Sequence, residues 1–175
     1  MKVAAAGFNF SLLRFATAVL LTLTQLIAIS PTVDANEWRK EMLNIANKYR
    51  AERNIAPLKL CRELNNAAQK YANYMATENF FSHRGKDGSS FDERITKAGY
   101  LWRKSATGGY VGENIAAGNK SVTSVMKSWK NSSAHYKNLI NGNFTDVGFG
   151  LATTTRKEYP TYWVQNFGSG GRCSP

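Results

Sequence analysis

The apolar residues between positions 36 and 78 recur at the three- and four-residue spacing of amphipathic helices. A first helix is predicted from the N-cap Asn36 to about residue 54, and a second helix starts after Pro57, which cannot continue a helix. The apolar stripe of the first helix is Trp38, Met42, Ile45, Ala46 and Tyr49. The stripe of the second is Leu64, Ala68, Tyr71 and Met75. Charged residues fall mainly on the opposite sides, so both helices are expected to cover a core.

Three shorter helices are predicted in the middle of the chain. Ser90 and Glu93 form the Ser-x-x-Glu pattern of a capping box, and the helix that follows is predicted to end near residue 98. Ser121 or Thr123 can cap the next helix. The apolar stripe of that helix is Val122, Val125, Met126 and Trp129. A further turn or short helix over residues 133–140 carries His135.

Alternating apolar residues predict strands over residues 111–117, 144–154 and 161–167. A polar turn at residues 156–160 joins the last two, so they are expected to pair as a hairpin. The order of elements is two helices and a short helix, then a strand, a helical region and a strand pair, which is not the strict alternation of a doubly wound parallel sheet. The pattern therefore predicts an α+β domain with an antiparallel sheet covered by helices.

Residues 1–35 have the features of a secretory signal peptide. Lys2 and Arg14 precede an apolar run over residues 15–29, and the Val33-Asp34-Ala35 step is a suitable cleavage site. The alternative is a membrane anchor, but the apolar run is about 15 residues long and a spanning helix needs about 20. We therefore expect an extracellular protein in which residues 36–175 form a single domain.

The two cysteines, Cys61 and Cys173, are expected to form a disulfide bond in an oxidising compartment. Neither has a cysteine or histidine neighbour at ligand spacing, so a metal role for them is not expected. Asn-x-Ser/Thr sequons begin at Asn119, Asn131 and Asn143, and they are glycosylation sites only if the source organism glycosylates.

The chain is strongly basic, with a formal net charge of +11 that loss of the signal peptide would lower by only one. Such a charge favours anionic partners, among them an anionic membrane or cell-wall surface. The lysines and arginines are spread over several predicted helices without a run of five or six like charges, so the charge alone predicts no specific site. Nucleic acid is not expected as a partner of an exported protein, and a monomer is expected.

One acidic residue, Glu113, lies within an otherwise apolar and glycine-rich run over residues 111–118. An ionised carboxylate in a sheet interior needs a cation, a hydrogen-bond donor or a water-filled cleft, because unpaired burial costs several kcal/mol. The only two histidines of the chain, His83 and His135, lie on either side of this run. Our hypothesis is that His83, Glu113 and His135 converge on one cavity.

Two imidazoles and one carboxylate can form an open zinc site that keeps one position for water. The spacing is not diagnostic, because no His-Glu-x-x-His helix is present. A hydrogen-bonded structural cluster of the same residues is the alternative that the residues leave open. A serine nucleophile lacks the Gly-x-Ser-x-Gly turn, a cysteine nucleophile conflicts with the expected disulfide, and no glycine-rich phosphate loop is present.

Five short motifs follow one another along the chain. They are Asn47-x-x-Arg50, Phe81-Ser82-His83, Gly112-Glu113-Asn114-Ile115-Ala116, Trp129 through His135, and Val147-Gly148-Phe149-Gly150 before Tyr162-Trp163-Val164-Gln165-Asn166-Phe167-Gly168. In this order they resemble the CAP superfamily, the group of cysteine-rich secretory proteins, antigen 5 and plant pathogenesis-related proteins that is also called the SCP domain. The resemblance covers residues 38–168.

The resemblance implies an α-β-α sandwich with a central antiparallel sheet flanked by helices, and a cleft lined by the family's His-Glu-Glu-His tetrad. His83, Glu113 and His135 occupy three of the tetrad positions and are the expected ligands of a divalent metal, with zinc as the expected ion. The other glutamate position is Ser132 here, and the short spacing before His135 resembles the bacterial branch of the family. Ser132 and Asn114 are expected to line the cleft.

Members of the family are mostly regarded as non-enzymatic, and sterol or fatty-acid binding is known for some of them. In the sterol binders an aromatic loop just before the Gly-Glu-Asn strand is implicated, and Tyr100, Trp102 and Tyr110 take its place here. The resemblance thus implies a secreted binding protein acting in defence, in virulence or at a cell surface. The alternatives are a metal-dependent hydrolase or protease, for which a general base is hard to name, and a binder of anionic cell-surface polymers that needs no cavity.

Overall fold

A computed structural model describes Met1 and residues 36–103, 109–155 and 158–174. Apart from Met1, the predicted signal peptide lies outside the described residues, as do residues 104–108 of the predicted aromatic loop and residues 156–157 of the predicted hairpin turn. The described residues from Asn36 onward belong to one compact unit, Val33–Pro175. No helix in the described part of the chain is long and apolar enough to cross a membrane.

Within these described ranges the chain forms five helices and four strands. The helices are α1 (Glu37–Ala51), α2 (Arg62–Glu78), α3 (Phe91–Lys97), α4 (Val122–Asn131) and α5 (Ser133–Leu139). The strands are β1 (Lys59–Leu60), β2 (Tyr110–Ala117), β3 (Asp146–Thr153) and β4 (Thr161–Ser169). Every predicted helix and strand is present, with ends that differ by a few residues. The short strand β1 is not predicted by the sequence pattern.

Local sequence explains where several helices begin and end. Ser90 and Glu93 form the predicted capping box at the start of α3, with Ser90 N donating to Glu93 Oε2 at 2.9 Å. The Ser121 hydroxyl caps α4 by accepting a hydrogen bond from Ser124 N at 3.2 Å. Helix α2 ends at Asn79, whose backbone adopts the left-handed conformation with a φ of 50°. The loop that follows Asn79 carries His83.

The four strands form one sheet in the order β1-β3-β4-β2. β4 is antiparallel to both of its neighbours, so that Asn166 is paired with Glu113 of β2 and with Gly148 of β3. β1 pairs with β3 in parallel through Lys59 and Leu60. The sheet is therefore antiparallel, as predicted, with a short parallel strand added at one edge. β2 forms the opposite edge.

Helices cover both faces of the sheet, which confirms the α-β-α sandwich. Successive residues of β4 point to opposite faces. Trp163 and Phe167 belong to a core cluster with α1, α4 and α5, whereas Tyr162 and Val164 pack against α2. Helix α2 lies directly on β3, where a side chain in place of Gly148 would overlap the α2 backbone.

The predicted disulfide bond is confirmed. Cys61 at the start of α2 is bonded to Cys173, and their Cα atoms are 5.3 Å apart. Cys61 is buried in a core cluster that also contains Ile95 of α3. The residue after the second cysteine is held as well, because Ser174 N donates to Glu63 Oε2 at 3.0 Å. The bond therefore attaches the C-terminal segment to the start of α2.

Asn47 and Arg50, the first of the five motifs, have a structural role. Arg50 is fully buried, and burial lowers the pKa of its guanidinium. Four backbone carbonyls accept hydrogen bonds from it, those of Ala56 at 2.7 Å, Leu139 at 3.1 Å, Asn141 at 2.8 Å and Phe144 at 2.9 Å. The Asn47 side chain exchanges hydrogen bonds of 3.0 and 2.8 Å with the backbone of Leu58. The motif thus ties the end of α1 to the loops on either side of it in space.

Candidate functional site

Glu113 lies in the middle of β2, on the face of the sheet that α2 covers. Ile115 packs against α2, and because residues two apart in a strand share a face, the Glu113 side chain points the same way. That side chain is only 1% exposed. A carboxylate buried to this degree needs hydrogen-bond donors around it, and three surrounding side chains supply them.

Arg94 of α3 provides the charged donor. Its Nη2 atom lies 3.0 Å from Oε2 and 3.2 Å from Oε1 of Glu113, and the Arg94 side chain is 13% exposed. Asn166, the cross-strand partner of Glu113, donates to Oε2 at 3.3 Å in the amide orientation that also lets its oxygen accept from Ala68 N at 3.2 Å. The buried carboxylate is therefore neutralised by an ion pair within the fold.

Arg94 also holds the loop between α2 and α3. Its Nη2 donates to His83 O at 3.0 Å and its Nη1 to Ser89 O at 2.9 Å. The guanidinium carbon lies 3.4 Å from the centroid of the Tyr71 ring, and the Tyr71 hydroxyl donates to Ser82 O at 2.6 Å. Burial raises the pKa of Tyr71 to about 12, so this hydroxyl keeps the proton that it donates. Two side chains thus fix the backbone on either side of the His83 peptide.

His83 is the third donor to Glu113 and the exposed member of the site. Its Nδ1 atom lies 2.9 Å from Oε1 of Glu113, while its side chain is 53% exposed. An ionised carboxylate can only accept hydrogen bonds, so Nδ1 carries the hydrogen and the lone pair of the neutral ring is on Nε2. Glu113 therefore sets the tautomer and the direction of the imidazole, as carboxylates behind metal-binding histidines do.

His135 approaches from α5, which packs on the opposite face of the sheet from α2. Burial lowers the pKa of its imidazole, and the nearby His83 lowers it further, so the ring is neutral at pH 7. The His135 carbonyl accepts a hydrogen bond of 3.1 Å from Asn114 Nδ2. Asn114 is fully buried and also bonds to Gln165 at 3.1 Å and to Asn138 at 2.9 Å. Asn114, which is predicted to line the cleft, is thus buried in a hydrogen-bond network that positions α5.

His83 contacts Glu113, but the ligand atoms of His83, Glu113 and His135 do not all lie within 4.8 Å of one another. In the described ranges, the group of three ligand-type side chains whose donor atoms all lie within 4.8 Å of one another is Cys61, Glu63 and Cys173. Both sulfur atoms of that group are in the disulfide and offer no thiolate. Because its oxygens are taken by three donors, Glu113 fits the role of hydrogen-bond partner better than that of third ligand.

The other predicted site residues differ in their surroundings. Ser132, at the position of the second tetrad glutamate, is the N-cap residue of α5. Tyr100 lies in the core, where its hydroxyl donates to Asp146 Oδ2 at 2.7 Å. Trp102 is half-buried, and Tyr110 is 39% exposed. A surface ligand could therefore reach Trp102 and Tyr110, but not Tyr100.

The three sequons also differ in exposure. Asn131 and Asn143 are exposed. Asn119 is half-buried, and its Nδ2 donates to Ser128 Oγ at 2.9 Å. A glycan on Asn119 would have to fit beside Ser128 at a half-buried position, so the other two positions accommodate one more easily.

Reasoning from the sequence missed Arg94. The signal that could have found it lies in the pattern of α3, where Phe91, Ile95 and Ala98 mark the buried stripe. Arg94 stands three residues after Phe91 and four before Ala98, so it falls on that same side of the helix. A basic residue on the buried side of one element and an acidic residue in an apolar strand together predict a buried ion pair.

The profile of the cysteine-rich secretory protein family, CAP, matches residues 43–167. The chain therefore belongs to this family, and the resemblance seen in its five motifs is confirmed. It is 33% identical over 131 residues to the protein YkwD of Bacillus subtilis (strain 168), a match that covers 74% of this chain and 46% of that protein.

Solved structures of family members share the fold. An extracellular protein containing a SCP domain from Bacillus anthracis str. Ames is similar with a TM-score of 0.62 and 25% identity, covering 73% of this chain and 39% of that one. An outer surface protein from Borrelia burgdorferi is similar with a TM-score of 0.66 and 23% identity, covering 79% of this chain and 96% of that one. The chain spans less than half the length of YkwD and of the Bacillus anthracis protein.

Proposed function

We propose that this chain is an extracellular binding module whose cleft binds a divalent metal ion, with zinc as the expected ion. Export is supported by the predicted signal peptide and by the disulfide between Cys61 and Cys173, since such bonds persist in oxidising compartments. The names of two structural relatives, an extracellular protein and an outer surface protein, support the same compartment.

The observation that carries the proposal is the 2.9 Å contact between His83 Nδ1 and the buried Glu113 carboxylate. It fixes the tautomer of an exposed imidazole and leaves Nε2 free of the carboxylate, which is how a carboxylate behind a histidine prepares that ring to bind a metal. His135 supplies the second imidazole, and its lowered pKa keeps the ring in the neutral form that binds metals. Water or an atom of a bound partner completes the coordination.

The same geometry favours binding over hydrolysis. A hydrolytic site needs a base that takes a proton from the metal-bound water. Glu113 is held in its ion pair with Arg94, with Nη2 and Oε2 3.0 Å apart, and the second tetrad position is Ser132. Neither position supplies an unpaired carboxylate, so we assign the site to ligand binding.

Zinc titration calorimetry tests the metal site. The double variant His83→Ala/His135→Ala is expected to lose zinc uptake, and unchanged uptake would refute the site. Glu113→Gln keeps both imidazoles but removes the charge that orients His83, so we expect roughly 10- to 100-fold weaker binding. Glu52→Gln is the matched control, because Glu52 is an exposed carboxylate that is paired with Lys130 rather than with a histidine. Melting temperatures of all variants separate loss of metal from loss of fold.

A sterol or fatty acid is a second ligand class, and one observation favours it. Leu101 and Tyr110, which precede and follow residues 104–108 in the sequence, are 63% and 39% exposed, and large apolar side chains exposed to solvent can mark a ligand or membrane contact. Trp102→Ala and Leu101→Ser are expected to lose lipid in a sterol or fatty-acid pull-down while keeping the fold. Phe81→Ser removes an apolar side chain that is 44% exposed outside this loop and is expected to keep it. Equal losses in all three variants would refute the loop as the binding surface.

A further inference from the structure

A cavity of about 390 Å³ lies between α2, α3 and the loop that joins them. Its charged lining residues, besides Arg94, are Lys70, Asp87, Glu93 and Lys97. Arg94 and Tyr71 form the wall that it shares with the site of His83 and Glu113. Neither histidine lines it, so its chemistry is separate from that of the imidazole pair.

The basic lining groups of the cavity have unused hydrogen-bonding capacity. Lys70 and Lys97 are exposed, and neither ammonium group has a hydrogen-bond or ion-pair partner within the described ranges. These two ammonium groups at the cavity therefore point to an anionic ligand.

The acidic lining groups are already engaged by the protein. Asp87 Oδ1 accepts hydrogen bonds from Ser89 N at 3.0 Å and from Ser89 Oγ at 2.7 Å. Glu93 Oε2 accepts from Ser90 N at 2.9 Å in the capping box. Each carboxylate keeps a second oxygen that can accept a hydrogen bond from a hydroxyl group. A ligand that fits this cavity thus carries hydroxyl donors as well as an oxyanion.

The remaining walls suit the body of a ring. Ala67 and Ala98 are small and apolar, and the Tyr74 ring is held by Phe80, with ring centroids 5.1 Å apart. The cavity volume lies in the range of small-molecule sites. It greatly exceeds the roughly 30 Å³ that one water molecule occupies in the liquid, so an isolated inorganic anion would leave the cavity largely empty. A fatty acid would fill it but would place a hydrocarbon chain against Asp87 and Glu93 without a donor for either.

We propose that this cavity binds a sugar acid, a hydroxylated ring that carries one carboxylate or phosphate group. The ammonium groups of Lys70 and Lys97 hold the oxyanion. Asp87 and Glu93 accept hydrogen bonds from ring hydroxyls, and Tyr74 contacts the apolar face of the ring. The net positive charge of the chain predicts no specific partner, whereas this cavity predicts a ligand with one oxyanion and several hydroxyl groups.

Nuclear magnetic resonance titration of the purified protein at low salt tests the ligand class. Glucuronate and glucose 6-phosphate, up to roughly 10 mM to cover weak single-site binding, separate the carboxylate from the phosphate source. At least one of them is expected to shift the amide signals of Ala67 and Ala98. Glucose and inorganic phosphate are expected to bind at least about tenfold more weakly, because each lacks half of the recognised groups. Equal binding of inorganic phosphate, or no shift with either anionic sugar, would overturn the proposal.

Variants assign the binding to this cavity. Lys70→Gln/Lys97→Gln is expected to weaken binding of the anionic sugar at least about tenfold, since both ammonium groups are lost. Lys127→Gln is the matched control, because Lys127 is an exposed lysine of α4 on the other side of the sheet. The affinity of this variant for the anionic sugar is expected to stay unchanged. Equal weakening in both variants would show nonspecific charge attraction and overturn the site. All three positions are exposed, so the variants are expected to keep the melting temperature, and zinc uptake by the double variant is expected to persist.

Discussion

Arg94 Nη2 lies 3.0 Å from Oε2 and 3.2 Å from Oε1 of Glu113, so a single guanidinium nitrogen contacts both oxygens of a carboxylate that is buried in the sheet. The same nitrogen donates to the carbonyl of His83 at 3.0 Å. A buried ion pair of this kind adds little net stability, because desolvation of both charges offsets their attraction. Its contribution here is geometric, since it connects the strand that carries Glu113 to the loop that carries His83.

Breaking this ion pair is expected to be costly. Arg94→Leu would leave Glu113 buried without its cation, and we expect a loss of about 3–5 kcal/mol in the free energy of unfolding. Adding Glu113→Gln removes the uncompensated charge, so the double variant is expected to lose less than the sum of the two single variants. Urea denaturation of the three variants measures this coupling.

Arg84→Leu is the matched control for that cycle. Arg84 lies on the same loop and is exposed, so the change in unfolding free energy is expected to stay within about 0.5 kcal/mol. Strictly additive losses at Arg94 and Glu113 would show that the two side chains do not interact in solution.

His135 is expected to make the fold less stable on acidification. Burial and the nearby His83 hold its pKa below the ordinary value of 6.5. Below that pH the unfolded chain therefore binds the proton more readily than the folded one, and the free energy of unfolding falls as the pH drops from 6.5 towards the folded pKa. Denaturation at several pH values measures the slope. His135→Gln is expected to flatten it, and an unchanged slope in that variant would assign the acid sensitivity to other groups.

Periodicity found the helices and the longer strands because each of them buries one face, and a buried face leaves a repeating apolar pattern. The strand β1 has no such pattern, since it consists only of Lys59 and Leu60. Its existence depends on parallel pairing with Asp146 and Val147, which are distant in sequence. Because this pairing forms only in the assembled sheet, the local sequence pattern does not predict it.

The candidate site was predictable to a similar extent. Glu113 stands out because a charge in an apolar strand requires a partner, and His83 follows as one of only two histidines. How close His135 comes to Glu113 depends on the path of α5 around the edge strand, which periodicity does not encode. Arg94 was detectable only by noticing a basic residue on the buried stripe of a helix that has just seven residues.

Reduction of the disulfide is expected to destabilise the protein. The bond between Cys61 and Cys173 closes a loop with a sequence separation of 112 residues. In the chain-entropy model, closing a loop of about 100 residues contributes about 4–5 kcal/mol, and measured losses often fall below that value. Thermal unfolding with and without a reductant measures the effect. The variant Cys61→Ala/Cys173→Ala is the control, because the reductant should leave its melting temperature unchanged.

Arg50→Lys is expected to be a severe change although the charge is retained. Lysine has no planar fork of donors, so it cannot reach all four carbonyls that Arg50 bonds at 2.7–3.1 Å. Buried carbonyls that lose their donor are costly, and we expect a loss on the order of 3 kcal/mol in the free energy of unfolding. Arg62→Lys, at a side chain that is 62% exposed, is the matched control and should change little. Similar losses at both positions would contradict the structural role of Arg50.

The close approach of α2 to the sheet predicts that Gly148 cannot carry a side chain. A Cβ atom at this position would overlap the backbone of Leu64 and Asn65, and backbone atoms of a packed helix cannot move aside as a side chain can. Gly148→Ala is therefore expected to cost about 3 kcal/mol or more, at the upper end of overpacking effects. Gly142→Ala is the matched control, because its Cβ would meet only Ile55 Cγ2 at 4.0 Å. Because the displaced helix carries Tyr71, Gly148→Ala is also expected to disturb the loop of His83 and weaken zinc uptake. If Gly148→Ala is as stable as Gly142→Ala, α2 packs less closely on the sheet than the structure indicates.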